Sequence, residues 1–345
     1  MKKYLLPETG KFYKANLHCH STVSDGKLSP ETLKGAYMAH GYSIIAYTDH
    51  DVMVPHHDLT DERFLALTGY EMEVNEVAPE KHKTMTKTCH MCFIALDPDN
   101  TRQVCYHRSK YIWGNALKYR DQLDYDDTLP DYERVYSPEG ISEMMKIGRD
   151  NGFFVTYNHP YWSLEKYTDY SGYENMNAME ICNYGCVAVG YMDYDPQSYD
   201  DFLMQGKRIF CLATDDNHNG RPLTDRACDS FGGFTMIKAD KLEYKTITDA
   251  LQAGNFYASQ GPIINALWFE DGEVHIECEA ADRILYNTGR RRAEIRFDNS
   301  GNGLTHASFK VAPEDIYFRL TVIDKQGYHA NTNAYFTDEV FSDAE

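Results

Sequence analysis

Asn16-Leu17-His18-Cys19-His20-Ser21-Thr22-Val23-Ser24-Asp25-Gly26 is the stretch from which the rest of the chain is read. Just upstream, Phe12, Lys14 and Asn16 alternate with Tyr13, Ala15 and Leu17, the period-two pattern of a strand. Residues two apart on a strand face the same way, so His18 and His20 project side by side, about 6–7 Å apart. Two imidazoles so placed can grip one divalent cation. Asp25 precedes Gly26 in a polar turn, from which its carboxylate can swing back over the same strand end. A His-x-His pair is common by chance, so its weight comes from the ligand-type residues at the ends of later strands.

Downstream, Ser29-Pro30-Glu31-Thr32 is a helix start: a hydroxyl N-cap, proline at the first helical position and an acid in the first turn. That helix stops near His40-Gly41, with His40 a surface cap. Residues 42–47 make a second strand ending in Thr48-Asp49-His50-Asp51. A strand–helix–strand unit of about thirty residues is the product of a parallel α/β sheet or barrel. Active-site residues belong at the carboxyl ends of such strands. Residues 64–70 lead to Glu71 and Glu73 on one face, and 89–96 form a strand with His90 near its start. Residues 153–157 end in Asn158-His159-Pro160, and 208–213 end in Thr214-Asp215-Asp216-Asn217-His218. Further strands span 178–182 and 233–238, and helices begin at Ser137-Pro138, near Asp195-Pro196 and at Tyr244.

Residues 97–136 turn polar and rich in Tyr, Asp and Arg, and read as an insertion or lid over the site. From Gln260 onward, short period-two segments alternate with Gly and Asn turns, which predicts a small antiparallel β-sandwich. The expected division is an α/β barrel-type domain over 1–256, carrying the polar strand ends, and a β-sandwich accessory domain over 257–345. The second would cap the barrel, mediate dimerisation or bind carbohydrate.

The bulk composition narrows the function classes. Of the 345 residues, 42% are hydrophobic and 13% aromatic, enough for a sizeable core and against disorder. A formal charge of −19 repels phosphate backbones, so no nucleic acid polymer is expected as partner. A small anionic phosphorylated substrate stays open, because bound metal ions invert the local potential. No apolar run approaches the roughly 20 residues that span a bilayer, so no membrane partner is expected. Residues 1–9 carry two lysines but no apolar core and cleavage site, so no leader is expected. The nine cysteines lack a framework spacing and suit reduced thiols in the cytoplasm. Cys89-x-x-Cys92 straddles one strand on opposite faces, without a second pair to complete a zinc knuckle. Oligomeric state stays open.

Collected from the strand ends, the candidate metal ligands are His18, His20, Asp25, His50, Glu71, His90, His159, Asp216 and His218. Nine such groups at one rim exceed the needs of a single zinc and would serve two or three divalent ions. Mixed imidazole and carboxylate ligation suits Zn, Mn or Fe alike. The pattern resembles the PHP family, named for its polymerase-associated and histidinol-phosphatase members. The likeness runs through His18-Cys19-His20, Asp25-Gly26, Thr48-Asp49-His50-Asp51, Gly69-Tyr70-Glu71, His90, Asn158-His159-Pro160 and Asp216-Asn217-His218, in order over residues 12–254. The subgroup of metal-dependent phosphoesterases with a β-rich tail is the most similar.

The resemblance implies a distorted (β/α)7 barrel with a trinuclear centre. His18, His20, Glu71 and Asp216 would hold a first metal; Glu71 would bridge to a second, held also by His90 and His159; Asp25, His50 and His218 would hold a third. Glu73 is the alternative to Glu71, and Asp215 would orient a ligand imidazole. A hydroxide bridging two cations is nucleophilic near neutral pH and can attack phosphorus in line. His218 and Asp25 are the candidate catalytic groups, His218 protonating the leaving oxygen. Arg221 or Arg134 would clamp the phosphate. The expected reaction is hydrolysis of a small phosphate monoester, of nucleotide or sugar-phosphate type. The same hydroxide could instead cleave an amide, carbamate or ester. The aromatic run Tyr157, Tyr161, Trp162, Tyr167, Tyr170 and Tyr173 either packs the lid or stacks on a base or sugar.

Overall fold

Alternation of apolar strands with capped helices lays down one long mixed sheet. The computed structural model describes residues 2–77 and 86–342. Its first ten strands are β1 (Lys3–Tyr4), β2 (Lys11–Asn16), β3 (Ile44–Tyr47), β4 (Leu65–Asn75), β5 (Thr88–Ala95), β6 (Phe153–Asn158), β7 (Ala178–Asn183), β8 (Phe210–Thr214), β9 (Phe234–Ala239) and β10 (Phe256–Ser259). Helices α1 (Pro30–Ala39), α2 (Pro138–Asp150), α3 (Tyr167–Tyr170), α4 (Tyr184–Ala188), α5 (Pro196–Met204) and α6 (Tyr244–Gln252) lie between them. The two serine-capped starts form as expected. Ser29 accepts from the Thr32 N–H and Ser137 from the Gly140 N–H, each followed by proline.

Strands β9, β2, β3, β4, β5, β6, β7 and β8 lie side by side in that order. Pairs β2·β3, β3·β4, β6·β7 and β7·β8 are parallel. β3, β5, β6 and β7 are buried along their whole length, as a sheet covered on both faces requires. Ala15, Ile44, Leu65, Ile94, Phe154, Ala178 and Leu212, one from each of seven strands, share one apolar cluster. Beyond the strand ends β2 and β8 meet: the His20 N–H donates to Asn217 O (3.1 Å) and the Asp216 N–H to His18 O (2.9 Å).

Two strands of this series depart from the parallel pattern: β9, antiparallel to β2 at the edge of the series, and β5 in its middle. β5 runs against both β4 and β6, with Glu73 opposite His90 and His90 opposite Asn158. Its first residues therefore lie at the rim where its parallel neighbours end. That places His90, at a strand start, among residues from strand ends.

Residues 97–136 hold little regular structure beyond a 3₁₀ stretch, Gly114–Gln122. Ile112, Ala116 and Leu123 pack on Val23 and Val52, so the insertion rests on the loops that follow β2 and β3.

The remaining strands are β11 (Ile264–Glu270), β12 (Glu273–Ala281), β13 (Arg283–Thr288), β14 (Ala293–Phe297), β15 (Leu304–Lys310), β16 (Tyr317–Ile323), β17 (His329–Thr332) and β18 (Tyr335–Phe336), followed by α7 (Thr337–Phe341). β10 pairs with β9 on one side and β17 on the other, so β17, β16, β13 and β14 continue the large sheet. A second sheet, β1-β11-β12-β15, encloses with it a core that includes Leu267, Val274, Ile284, Tyr286, Phe309 and Phe318. β1 pairs with Trp268 and Phe269, so the first residues of the chain sit on the C-terminal sheet. Arg319 clasps Asp200 of α5 through two bonds of 2.6 and 2.8 Å, tying β16 to the first unit. All nine cysteines are buried and unpaired. Among the described residues no helix is long and apolar enough to cross a membrane.

Candidate metal centre

Just past the end of β2, His18 and His20 bring their Nε2 atoms to 3.1 Å of each other. Glu71, inside β4, faces them. Its Oε1 lies 3.2 Å from His18 Nε2, 3.1 Å from His90 Nδ1 and 3.4 Å from His159 Nε2. Its Oε2 lies 3.3 Å from His20 Nε2 and 3.2 Å from His50 Nδ1. Five imidazoles thus surround one carboxylate. Asp216 closes the group, with Oδ1 at 3.2 Å from His18 Nε2 and 3.0 Å from His20 Nε2. At the outer edge Asp25 Oδ2 stands 3.4 Å from His218 Nε2 and 4.0 Å from His50 Nε2.

Backbone geometry is bent to achieve this. Asp216 and His159 take φ of +49° and +28°, in the left-handed region that costs a non-glycine residue about 1–3 kcal/mol. Gly26 lets the Asp25 turn fold back on the strand end: a Cβ there would lie 2.5 Å from the His20 carbonyl oxygen.

The donor set fits divalent cations. His20 Nδ1, His50 Nδ1, Glu71 Oε2 and Asp216 Oδ1 are buried and lack a hydrogen-bond partner, a costly state for polar atoms unless something else satisfies them. Ligand atoms at about 2.0–2.2 Å from one ion stand roughly 3.0–3.5 Å from one another, which is the spacing found here. Four sets have ligand atoms mutually within 4.8 Å: His18, His20, Glu71 and Asp216; His20, Asp25, His50 and His218; His50, Glu71 and His90; and His18, His159 and Glu180. All nine sequence-derived ligands fall in these sets.

The electrostatics point the same way. Burial disfavours a charged His20, yet Asp216 and Glu71 outweigh it and hold the ring's pKa up at about 10. For His90, burial is likewise outweighed, by Glu71 and Glu73, again to about 10. Burial and the neighbouring His20 push His50 down to about 3. The carboxylates demand positive charge from their surroundings. Ligation by metal would release the protons that otherwise supply it.

A ring of buried partners fixes these groups. His18 Nδ1 lies 2.7 Å from Glu180 Oε1, which also accepts from Thr214 Oγ1 at 2.6 Å. Glu180 Oε2 accepts from the His159 N–H and from Asn183 Nδ2. Glu180 escaped the sequence reading; its one signal was a carboxylate among the apolar residues Ala178, Met179, Ile181 and Cys182 of β7. Asn158 donates to Glu71 Oε1 at 3.1 Å. Asp49 accepts from the N–H and hydroxyl groups of Ser21 and Ser24, holding the loop that carries Asp25. Asp215 orients no imidazole: its carboxylate accepts from the Phe231, Gly232 and Gly233 N–H groups and the Tyr37 hydroxyl. Glu73 lies 3.5 Å from His90 Nε2, at one remove from the His18 and His20 pair that Glu71 touches.

Neither candidate arginine reaches the centre. Arg134 is buried, with its guanidinium 2.5 Å from Asp51 and 2.7 Å from the Glu73 carbonyl. Arg221 is mostly exposed, 3.7 Å from Asp225. Neither lines the cavity above the histidines, a space of about 410 Å³ walled by Asp25, His50, Glu73, His90, His218, Asp229, Trp113 and Trp162 among others. Of the aromatic run, Tyr157, Tyr170 and Tyr173 are buried packing, whereas Trp162 faces the cavity. Trp113 comes from the insertion, a contribution the sequence did not single out.

No family model matches the sequence. The chain is similar to a 5'-3' exoribonuclease of Haemophilus influenzae, 50% identical over 70 residues, or 18% of this chain and 24% of that one. It thus spans about a quarter of the length of the curated relative it matches. Among solved structures it is similar to a two-domain protein of Bacteroides vulgatus described as containing a predicted PHP-like metal-dependent phosphoesterase. The TM-score is 0.44 and the identity 14%, over 97% of this chain and 90% of that one. A second, described in the same predicted sense as a metal-dependent phosphoesterase of Bifidobacterium adolescentis, gives a TM-score of 0.33 and 15% identity over 63% and 91%.

Proposed function

We propose that the chain is a PHP-type metal-dependent phosphoesterase acting on small phosphate monoesters. In this reading two or three divalent ions sit at the rim of a distorted (β/α)7 barrel, spanning 1–256, with a β-sandwich after it. The bonds joining the ends of β2 and β8 support the barrel. One observation carries the function: buried, unpartnered imidazole and carboxylate atoms converge at ligand spacing around Glu71 and Asp216.

Divalent ions bound there supply Lewis acidity toward phosphoryl oxygens and a water acidified toward neutral pH. The chain's own groups orient and move protons. Glu180 holds the proton of His18 on Nδ1, leaving Nε2 to face inward as a ligand. Glu71 and Asp216 keep His20, His50, His90 and His159 pointed at common centres. His218, partly exposed at the mouth and steadied by Asp25, is placed to pass a proton to the leaving oxygen. With Arg134 committed to Asp51, no arginine is assigned to the phosphate.

The exoribonuclease likeness raises RNA ends as a substrate. A charge of −19, and a cavity wall with no lysine or arginine among the described residues, argue for a small ester over a polymer. Nine buried free thiols suit a reducing compartment, and we place the protein in the cytoplasm.

The test is phosphate release from nucleotides and sugar phosphates by protein stripped of metal and reloaded with Zn, Mn or Fe, with bound ions counted by elemental analysis. Release that requires metal and vanishes in His50→Ala supports the reading. Silence across the panel with ions bound overturns it and turns the same centre toward amide, carbamate or ester hydrolysis.

A further inference from the structure

The cavity wall combines two features that the metal centre does not use. Trp113 and Trp162, both at the cavity wall, are 44% and 37% exposed, each presenting an aromatic face to the space above the histidines. They flank the histidines from different elements. The Trp113 ring lies 5.6 Å from that of His50, and the Trp162 ring 5.3 Å from His90 and 5.1 Å from His159. Trp162 is held in place through its backbone, because Asp193, fully buried, accepts from the Tyr161 and Trp162 N–H groups. Trp113 sits at the entry to the 3₁₀ stretch whose Ala116 is packed against the loops carrying His20 and His50.

The second feature is charge. Five carboxylates line the cavity, Asp25, Glu71, Glu73, Asp216 and Asp229, and among the described residues no lysine or arginine joins them. Three divalent ions would bring +6 against −5, a net of +1; two would leave −1. One phosphate can be met by such a centre. A second phosphate on the same molecule would face carboxylates with no protein cation to receive it.

We infer that Trp113 and Trp162 grip a planar ring, so that the substrates are aromatic or nucleoside esters bearing a single phosphate. This rests on the phosphoesterase reading above. The space of about 410 Å³ accommodates such a molecule and falls within the roughly 300–1,000 Å³ of small-ligand pockets. Stacking a ring on one aromatic side chain contributes about 1–3 kcal/mol, or roughly 5- to 150-fold in affinity, and is indifferent to which ring is offered. A sugar phosphate without a base gains none of it.

Two measurements on the full chain separate this inference from the reading beneath it. The first is quenching of tryptophan emission by adenosine, which carries no phosphate, in wild type, Trp113→Leu and Trp162→Leu. The second is kcat/KM for adenosine 5'-monophosphate, ribose 5-phosphate and adenosine 3',5'-bisphosphate. Expected are saturable quenching that weakens about tenfold in either variant, and a preference of at least about tenfold for the monophosphate over ribose 5-phosphate that the variants lose. The bisphosphate should be the poorer nucleotide. Equal rates on the monophosphate and ribose 5-phosphate, unchanged in both variants, would overturn the clamp and leave the phosphoesterase standing. Adenosine binding with no phosphate release from any ester would overturn the phosphoesterase and leave the ring site standing.

Discussion

Replacing Arg134 by methionine should cost stability long before it costs chemistry. The side chains of Arg134 and Asp51 are about 98–99% buried, at 2.5 Å, and the guanidinium also donates to the Glu73 carbonyl and lies 4.1 Å over the Tyr111 ring. Methionine keeps the apolar stem and removes the charge, so a buried carboxylate is left alone. Breaking such a pair by removing one partner costs about 3–5 kcal/mol. Asp51 has a way to relieve this, which makes the cost depend on pH. Burial already raises its pKa to about 6 although Arg134 pulls it down, and without Arg134 it rises further. A carboxyl whose folded pKa exceeds its unfolded one stabilises below the unfolded value and loses that contribution as pH rises through the folded value. Wild type and Arg134→Met should therefore differ little at pH 5 and by about 3–5 kcal/mol at pH 8. Urea unfolding of wild type, Arg134→Met, Asp51→Asn and the double variant at both pH values completes the cycle, and Asp51→Asn should restore most of the loss. Stability unchanged within about 0.5 kcal/mol at pH 8, together with a raised KM for a phosphate ester, would refute this and return Arg134 to the phosphate.

Three further outcomes rest on the same geometry. Glu71→Gln, which removes the charge around which five imidazoles gather, should lose bound metal in elemental analysis and phosphate release together; full metal content in the variant would contradict the site. Glu180→Ala frees His18 Nδ1 and should weaken metal affinity or activity about 10- to 100-fold, read by competition with a chromogenic chelator. Glu165, buried and hydrogen-bonded by Tyr136, Tyr157 and Tyr173, has its pKa raised by burial to about 7. Stability should then fall by about 3 kcal/mol between pH 4.5 and 7.5 relative to Glu165→Gln, so parallel unfolding curves for the two proteins across that range would show the carboxyl to be unperturbed.

The metal ligands were legible because strand ends announce themselves locally. His18-x-His20 follows a period-two run, and Asp216-x-His218 follows an apolar strand that stops in polar residues. His90 was legible by type alone, since nothing in the residues around it records that β5 runs backwards; that direction is set by pairing with β4 and β6. Glu180 itself, and the partner of Arg134, were hidden for a related reason. Each owes its role to partners far along the chain, His18 and Asp51, and a carboxylate in a strand or an arginine in a polar insertion carries no mark of them. The same holds for β1, whose partners Trp268 and Phe269 lie in the last third of the sequence.

That last pairing bears on how the protein comes into being. The β1 strand leaves the ribosome before any ligand of the centre and finds its place only when β11 has been synthesised, after every one of those ligands is already out. β2, meanwhile, needs the segment after β8 to complete its rim, so His18 and His20 wait for Asp216 and His218. Assembly is therefore dominated by late, distant closures, the topology that folds slowly. A nascent chain would expose His18 and His20 until the segment after β8 is made, and metal capture would follow the synthesis of Asp216 and His218.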